Sequence, residues 1–509
     1  MISIKLKFLF LFVFCFASTA NGQNEECTIG VASGIATSDG RPLIWKTRDN
    51  SSAPNNEVVY NKSFKLRFLE VVTAGNTNAW MGVNEHGFAI LNSLARDLEQ
   101  GSSGYGNGSL MRDALGTCAT VSEFIALLYQ TNSSGRATRG NFATLDSTGA
   151  AILFEIDKDS YWIFDAENSL TAPNGYIIRT NFAENGDGTS GSGYERYNRS
   201  SDLIHNFYSG DSLNYRSILR HQMRDFSDFD SNPVNVPFAD YWLSERPYGY
   251  IYTNVSICRS STVSTTVIQG ILSGERTELS TMWTILGHPA ASIAVPYWPI
   301  GNTPDEANGT PTAPLCDMAL KIRSALFDYP ENEYYLDSYK LRDEAGNGIW
   351  NSLFSAEDSI FTVTEKYLEK WRANGPDVSE MMTVEYNYAR FALDAMEIAH
   401  LNLLTGVVSD DNNTASSGFT VFQNFPNPFH AGTRISFTLP QAGVVNIDLF
   451  NISGKKVDTI AHEQFSKGLH TIFWNTTTRP KLSSGIYFYR ITVSSNQQYT
   501  ATRKFTLIK

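Results

Sequence analysis

Cys27 is the residue with the most chemistry in its reach. It follows an amino-terminal segment in which Lys5 and Lys7 precede the apolar run Phe8 to Ala17, and Ser18, Thr19, Ala20, Asn21 and Gly22 come next. That is the layout of a secretory signal peptide, and the run is too short to span a bilayer. Cleavage after Ala20 or after Gly22 fits, and Gly22 is favoured because Ala20 then stands three residues back. The bulky Phe14 before Cys15, and Asn24, Glu25 and Glu26 before Cys27, do not suit a lipoprotein signal. The sequence thus predicts a signal peptide over 1–22 and a prosegment over 23–26. If the Glu26–Cys27 bond is cut, Cys27 acquires a free α-amine beside its own thiol. An α-amine titrates at about 7.7–8.0, so it serves as a base near neutrality without a histidine. Thiol and amine belong to one residue, which removes most of the problem of positioning them. The competing reading is structural. Cys15 leaves with the signal, and the four cysteines that remain, Cys27, Cys118, Cys258 and Cys316, could form one or two bridges or stay as buried thiols.

The elements that must hold such a residue can be read from the apolar pattern. The chain has 509 residues, 42% hydrophobic and 18% charged, enough to bury a large core. A net charge of -12 disfavours a nucleic-acid binder, and no two of the eight histidines stand at metal-ligand spacing. Neither a glycine-rich phosphate loop nor a G-x-S-x-G nucleophile elbow is present. Strands are expected at 28–36, 42–48, 66–72, 79–83, 87–92, 141–145, 150–156, 161–164, 176–180, 263–269 and 282–286. Helical spacing runs over 109–129, 202–208, 213–226, 318–328, 358–373 and 377–404. Hairpin-linked strands with helices grouped between them predict a layered α+β architecture. Residues 406–418 are polar and small and read as a linker. Short alternating runs over 419–509 predict a small β-sandwich.

That last segment carries an ordered series of motifs. Asn424-Phe425-Pro426-Asn427-Pro428-Phe429 is followed by Thr433-x-Ile435-x-Phe437-x-Leu439-Pro440 and Leu449-Phe450-Asn451-Ile452-Ser453-Gly454-Lys455. Gly485-Ile486-Tyr487-Phe488-Tyr489 and Lys504-Phe505-x-x-Ile508-Lys509 complete it. The series resembles the type A C-terminal sorting domain of the type IX secretion system. The resemblance implies a partner, the type IX secretion machinery, and passage through the periplasm and outer membrane of a Gram-negative bacterium. Removal of the domain or attachment to surface lipopolysaccharide would follow. The alternative is a generic immunoglobulin-like binding module.

The flanks of Cys27 carry a second resemblance. Cys27-Thr28-Ile29-Gly30 through Ser38-Asp39-Gly40-Arg41-Pro42-Leu43-Ile44-Trp45-Lys46-x-Arg48-Asp49, then Trp80-Met81-Gly82-Val83-Asn84-Glu85-x-Gly87, Asn141-Phe142 and Arg179-Thr180-Asn181-Phe182 resemble N-terminal nucleophile (Ntn) hydrolases. Within these the likeness is to the group of isopenicillin-N acyltransferase and carcinine hydrolase-like proteins. It implies a four-layer αββα sandwich over 27–405, of two antiparallel sheets between helical layers. Carried over by position, it implies that Cys27 is the nucleophile and that Asp49 hydrogen-bonds its α-amine. Asn92 and Asn181 would stand by the scissile carbonyl, and Arg259 would lie near the nucleophile. Relatives often place an arginine three residues before that aspartate. Here Lys46 stands there, with Arg48 next to Asp49, so which cation meets thiol or substrate stays open. His86 and His288 read as structural.

Together these readings imply a secreted amidohydrolase or acyltransferase. After Cys27 releases the prosegment at Glu26, it would cleave a linear amide, such as an N-acyl amine, N-acyl amino acid or small peptide, through an acyl-thioenzyme. Neither metal nor organic cofactor is required. Two alternatives stand beside this: a surface-displayed binding protein on a degenerate scaffold, and an N-terminal-cysteine dipeptidase.

Overall fold

A computed structural model describes residues 26–243, 248–405 and, outside short stretches, 419–507. The expected signal peptide, residues 23–25 of the prosegment and the linker lie outside the described residues.

The first strands form hairpins: β1 (Glu26–Ala32) with β2 (Leu43–Asp49), and β3 (Asn56–Asn61) with β4 (Phe68–Thr73). Then come β5 (Met81–Asn84), β6 (Ala89–Ser93), α1 (Asn107–Thr117), α2 (Val121–Asn132), β7 (Gly140–Leu145), β8 (Ala151–Ile156), β9 (Tyr161–Asp165), β10 (Tyr176–Arg179) and α3 (Tyr194–Ser209). A short turn, α4 (Tyr215–Ser217), runs into a π-helical stretch over Ile218–Gln222. β11 (Tyr250–Tyr252), β12 (Thr262–Gln269), β13 (Thr281–Leu286), β14 (Val295–Tyr297), α5 (Pro314–Leu326), β15 (Tyr335–Asp337), α6 (Ser338–Leu341), α7 (Ile349–Asn374) and α8 (Val378–Thr405) complete this part.

Two antiparallel sheets form from these strands. One is six-stranded in the order β10-β1-β2-β12-β13-β14, and the other is seven-stranded, running β3 to β9 in sequence order. They stack face to face, with β1 and β2 lying on β6, β7 and β8. α1 and α2 cover the outer face of the seven-stranded sheet through Leu110, Met111 and Phe124, which pack with Phe68, Ile90 and Phe154. α3, α5, α7 and α8 cover the other sheet. This is an αββα sandwich. It explains why β1, β2, β7, β8 and β12 are buried almost throughout: each has protein on both faces, so the in–out alternation of a half-solvated sheet is lost. Close packing also fixes Gly30, where a Cβ would stand 2.0 Å from the buried Trp45 ring.

The periodic segment 109–129 is not one helix. Cys118 is extended, and the Thr120 side chain accepts from Glu123 N at 3.3 Å, so the chain stops and restarts with a fresh N-cap. Cys27, Cys118, Cys258 and Cys316 are all buried and none is bridged.

In the last segment β16 (Thr420–Val421), β17 (Gly432–Leu439) and β20 (Gly468–Asn475) form one sheet. β19 (Lys456–Phe465), β18 (Gly443–Asn451), β21 (Gly485–Ser494) and β22 (Gln498–Leu507) form the other. β17 and β21 alternate buried and less buried residues, and the two sheets share a core of Ile435, Phe437, Ile447, Tyr489 and Phe505. This is a small all-β sandwich. Among the described residues no helix is long and apolar enough to cross a membrane.

Candidate active site

Strand register assembles the site. In the β1–β2 ladder Cys27 lies opposite Arg48, Glu26 opposite Asp49 and Ile29 opposite Lys46. Directly paired residues of an antiparallel ladder project to the same face, and neighbours along a strand to opposite faces. Cys27, Lys46 and Arg48 therefore face the seven-stranded sheet. Glu26 and Asp49 face the outer helical layer.

On the inner side, Lys46 Nζ donates to Asn92 Oδ1 at 2.8 Å and to the Trp80 carbonyl at 3.2 Å. Arg48 donates to Asn56 Oδ1 at 2.6 Å and lies 4.3 Å from the centre of the Trp80 ring. Both cations are buried and bonded to protein groups: β2 is a central strand, and its inward side chains tie the two sheets together. Asn92 is drawn into the same contact.

Around Cys27 itself the groups come from far apart. The Cys27 N–H donates to Asn181 Oδ1 at 3.0 Å. Arg196, on the first turn of α3, donates through Nη1 to the Cys27 carbonyl at 2.8 Å and to Thr28 Oγ1 at 3.1 Å. Its Nη2 reaches Asn181 Oδ1 at 2.9 Å and Glu26 Oε2 at 3.2 Å. Arg259 holds the same Glu26 oxygen and is itself fixed by Asn254 Oδ1 at 2.6 Å. Asn181 is pinned from its other end, because Nδ2 donates to the Leu94 carbonyl at 2.7 Å. Its amide NH2 is thus turned away from Cys27, and its oxygen, not its nitrogen, meets the residue expected to react. Asn181 thus meets the Cys27 N–H and Arg259 the neighbouring Glu26 side chain, while Asn92 is held by Lys46.

Asp49 is fully buried. Thr262 Oγ1 donates to its Oδ1 at 2.7 Å, and Oδ2 has no hydrogen-bond partner among the described residues. Burial pushes its carboxyl up to about 6, against the pull of Arg259 and Arg196. Burial acts upward on Glu26 too, but Arg259 and then Arg196 outweigh it and hold that carboxyl below its usual range. Burial, reinforced by Arg259, pushes Arg196 below its ordinary value. Two guanidiniums and two carboxylates are thus packed within reach of one peptide bond, Glu26–Cys27.

A second cysteine lies beside a histidine, Cys258 Sγ being 3.9 Å from His288 Nε2. Burial raises the Cys258 thiol and pushes His288 down to about 3. His288 Nδ1 accepts from Ala290 N at 3.3 Å, so the ring proton sits on Nε2 and points to the Arg259 carbonyl at 3.1 Å. The thiol is held protonated, and burial leaves the imidazole too weak a base to take its proton. The imidazole braces the backbone of Arg259.

Arg196 escaped the sequence reading. It stands far along the chain from Cys27, in the polar run Tyr194-Glu195-Arg196-Tyr197, where a charged helical residue signals only a solvated face. Thr262 and Asn254 likewise carry no local mark.

Residues 35–241 match the family model described as acyl-coenzyme A:6-aminopenicillanic acid acyl-transferase, a span that begins beyond Cys27 and ends before Arg259. Residues 423–508 match the secretion system C-terminal sorting domain. No curated protein matches the sequence. Among solved structures, a mutant of the conjugated bile acid hydrolase from Clostridium perfringens aligns at 14% identity over 51% of this chain and 89% of that one, with a TM-score of 0.31. Penicillin V acylase from Agrobacterium tumefaciens aligns at 13% identity over 53% and 85%, with a TM-score of 0.31. A Caenorhabditis elegans ortholog of N-acylethanolamine-hydrolyzing acid amidase aligns at 12% identity over 48% and 92%, with a TM-score of 0.30.

Proposed function

We infer, for a chain whose residues 35–241 match the acyl-coenzyme A:6-aminopenicillanic acid acyl-transferase family model and whose residues 423–508 match the secretion sorting domain, that it is an exported amide hydrolase activated by cleavage before Cys27. The observation that carries this reading is Asp49. A buried carboxylate with one oxygen unpartnered stands opposite Glu26 in the ladder, where cutting the Glu26–Cys27 bond creates an ammonium. A new cation there supplies what the uncut chain lacks, and Asn181 Oδ1, which already accepts from this nitrogen, keeps the amine in place.

In activation the Cys27 sulfur attacks the Glu26 carbonyl carbon. The carbon–nitrogen bond breaks as the carbon–sulfur bond forms, and the thiol proton passes to the nitrogen that becomes the α-amine. Water then hydrolyses the thioester, leaving Glu26 as a carboxylate and restoring the thiol. Turnover repeats these steps on an external amide. The α-amine takes the thiol proton and gives it to the leaving amine, and water releases the acid from the acyl-thioenzyme. Transfer of the acyl group to an amine instead of water uses the same intermediate. Asn181 acts here by orienting the amine, and Arg196 by fixing both Asn181 and the Cys27 carbonyl.

Intact mass and amino-terminal sequencing of the exported protein test this reading together with a Cys27→Ala variant. The wild-type chain is expected to begin at Cys27 and the variant upstream of it, with amide cleavage lost. Active protein beginning at Gln23 would refute it.

A further inference from the structure

The two arginines nearest the Glu26–Cys27 bond do not spend their charge on the bond. They hold the side chain of Glu26. Arg259 and Arg196 both bind Glu26 Oε2, and Arg96 adds a further positive field there. Their own positions are fixed by partners other than Glu26. Arg196 rests on Asn181, Thr28 and the Cys27 carbonyl, and Arg259 on Asn254. The Arg196 side chain is 2% exposed and that of Arg259 10%. This anion seat is built independently of its present occupant.

Activation removes that occupant. Two enclosed guanidiniums then keep Asp49 as their buried counter-charge, and Asp49 gains the new ammonium of Cys27 as a competing cation. A site left with excess buried positive charge recruits an anion, since an unpaired buried charge is costly.

The thioester formed on Cys27 during activation has the same connectivity as the acyl-thioenzyme of turnover: an acyl carbonyl on the Cys27 sulfur. In activation that acyl group is Glu26. From its carbonyl carbon the chain runs through Cα, Cβ and Cγ to the carboxyl carbon, five carbons in all. An incoming acyl group of that length with a carboxylate at its far end reproduces the occupant. Resting on the amide-hydrolase reading above, we propose that the acyl site selects amides of five-carbon dicarboxylic acids, of the glutaryl or glutamyl kind, with the far carboxylate seated on Arg196 and Arg259. The products are the free diacid, or amino diacid, and the leaving amine.

The test uses the mature full-length chain beginning at Cys27 and three p-nitroanilides: glutaryl, the uncharged pentanoyl of equal length, and succinyl, one carbon shorter. The charge-assisted contact predicts kcat/KM about 10- to 100-fold higher for glutaryl than for pentanoyl. Succinyl falls between them. Arg259→Met brings the glutaryl-to-pentanoyl ratio to within about threefold, and Arg259→Lys, which keeps the charge without the planar fork, gives an intermediate ratio. Pentanoyl cleaved as well as glutaryl overturns the proposal and leaves the amidase reading standing. If no anilide is cleaved, calorimetric titration with glutarate and pentanoate decides. Glutarate binding at least about tenfold tighter, and weakened by Arg259→Met, upholds the seat even as the amidase reading falls, and equal binding of the two acids overturns it.

Discussion

Replacing Asp49 by Asn removes a buried charge while nearly preserving shape, and the uncut chain should respond in a pH-dependent way. The Asp49 carboxyl is raised from 3.8 to about 6 by burial. Multiplied by 1.36 kcal/mol per unit, that is about 3 kcal/mol of penalty for carrying the charge above both values. The folded state binds this proton more tightly than the unfolded state. The contribution to stability is therefore fully present below 3.8 and is lost as pH rises through about 6. Asparagine has no such proton. Its amide introduces a donor where Oδ2 stood, which shifts stability by an amount independent of pH, so the change in the difference between the two chains is the informative quantity. Chemical denaturation should be run on Cys27→Ala, which holds the precursor uncut, with and without Asp49→Asn, at pH 4 and pH 8. The advantage of Asn over Asp is expected to grow by about 2.5 kcal/mol from the lower pH to the higher, the rest of the change lying below pH 4. In a chain beginning at residue 27 the α-ammonium offsets the buried carboxylate, and the growth should shrink or reverse. A difference flat across this range in the uncut chain would mean that Asp49 carries no strain for cleavage to relieve.

Other substitutions probe the frame around the site. Gly30→Ala places a methyl 2.0 Å from a Trp45 ring that is itself fully buried, and a loss of about 1–3 kcal/mol is expected in urea denaturation. Glu357 accepts from Arg224 at 2.7 and 3.1 Å and from the Ala294 N–H at 2.9 Å, which anchors α7 beneath β14. Glu357→Gln leaves Arg224 short of its counter-charge and should cost about 3–5 kcal/mol, read from the shift of the denaturation midpoint. Burial raises the Glu385 carboxyl, which accepts from the Trp298 N–H at 2.6 Å, well above its ordinary value. Its contribution to stability is lost as pH rises through that raised value, so melting curves of Glu385→Gln should lose part of the decline that the wild-type chain shows toward alkaline pH.

The sequence by itself determined the alternation of hairpins and helices, the separate β-rich tail with its ordered motifs, and Cys27 as a thiol that one cut turns into an amine-bearing terminus. These are local properties: turn residues, apolar period, and position relative to an expected signal peptide. Asn181 and Arg259 were legible only through resemblance, and what their atoms do was not. Asn181 meets Cys27 through its oxygen because Leu94 takes its amide hydrogen. Lys46 and Arg48 were candidate substrate cations through the same resemblance, and the central place of β2, which turns both inward to bind the second sheet, was not legible in it. Arg196 could be found only in three dimensions, because a helical arginine beside Tyr and Glu looks like any solvated residue until the helix is laid against β1. Strand register decided the rest. Period two sends Cys27 to one face and Glu26 with Asp49 to the other, and which groups wait on each face is fixed by chain segments that no local pattern connects.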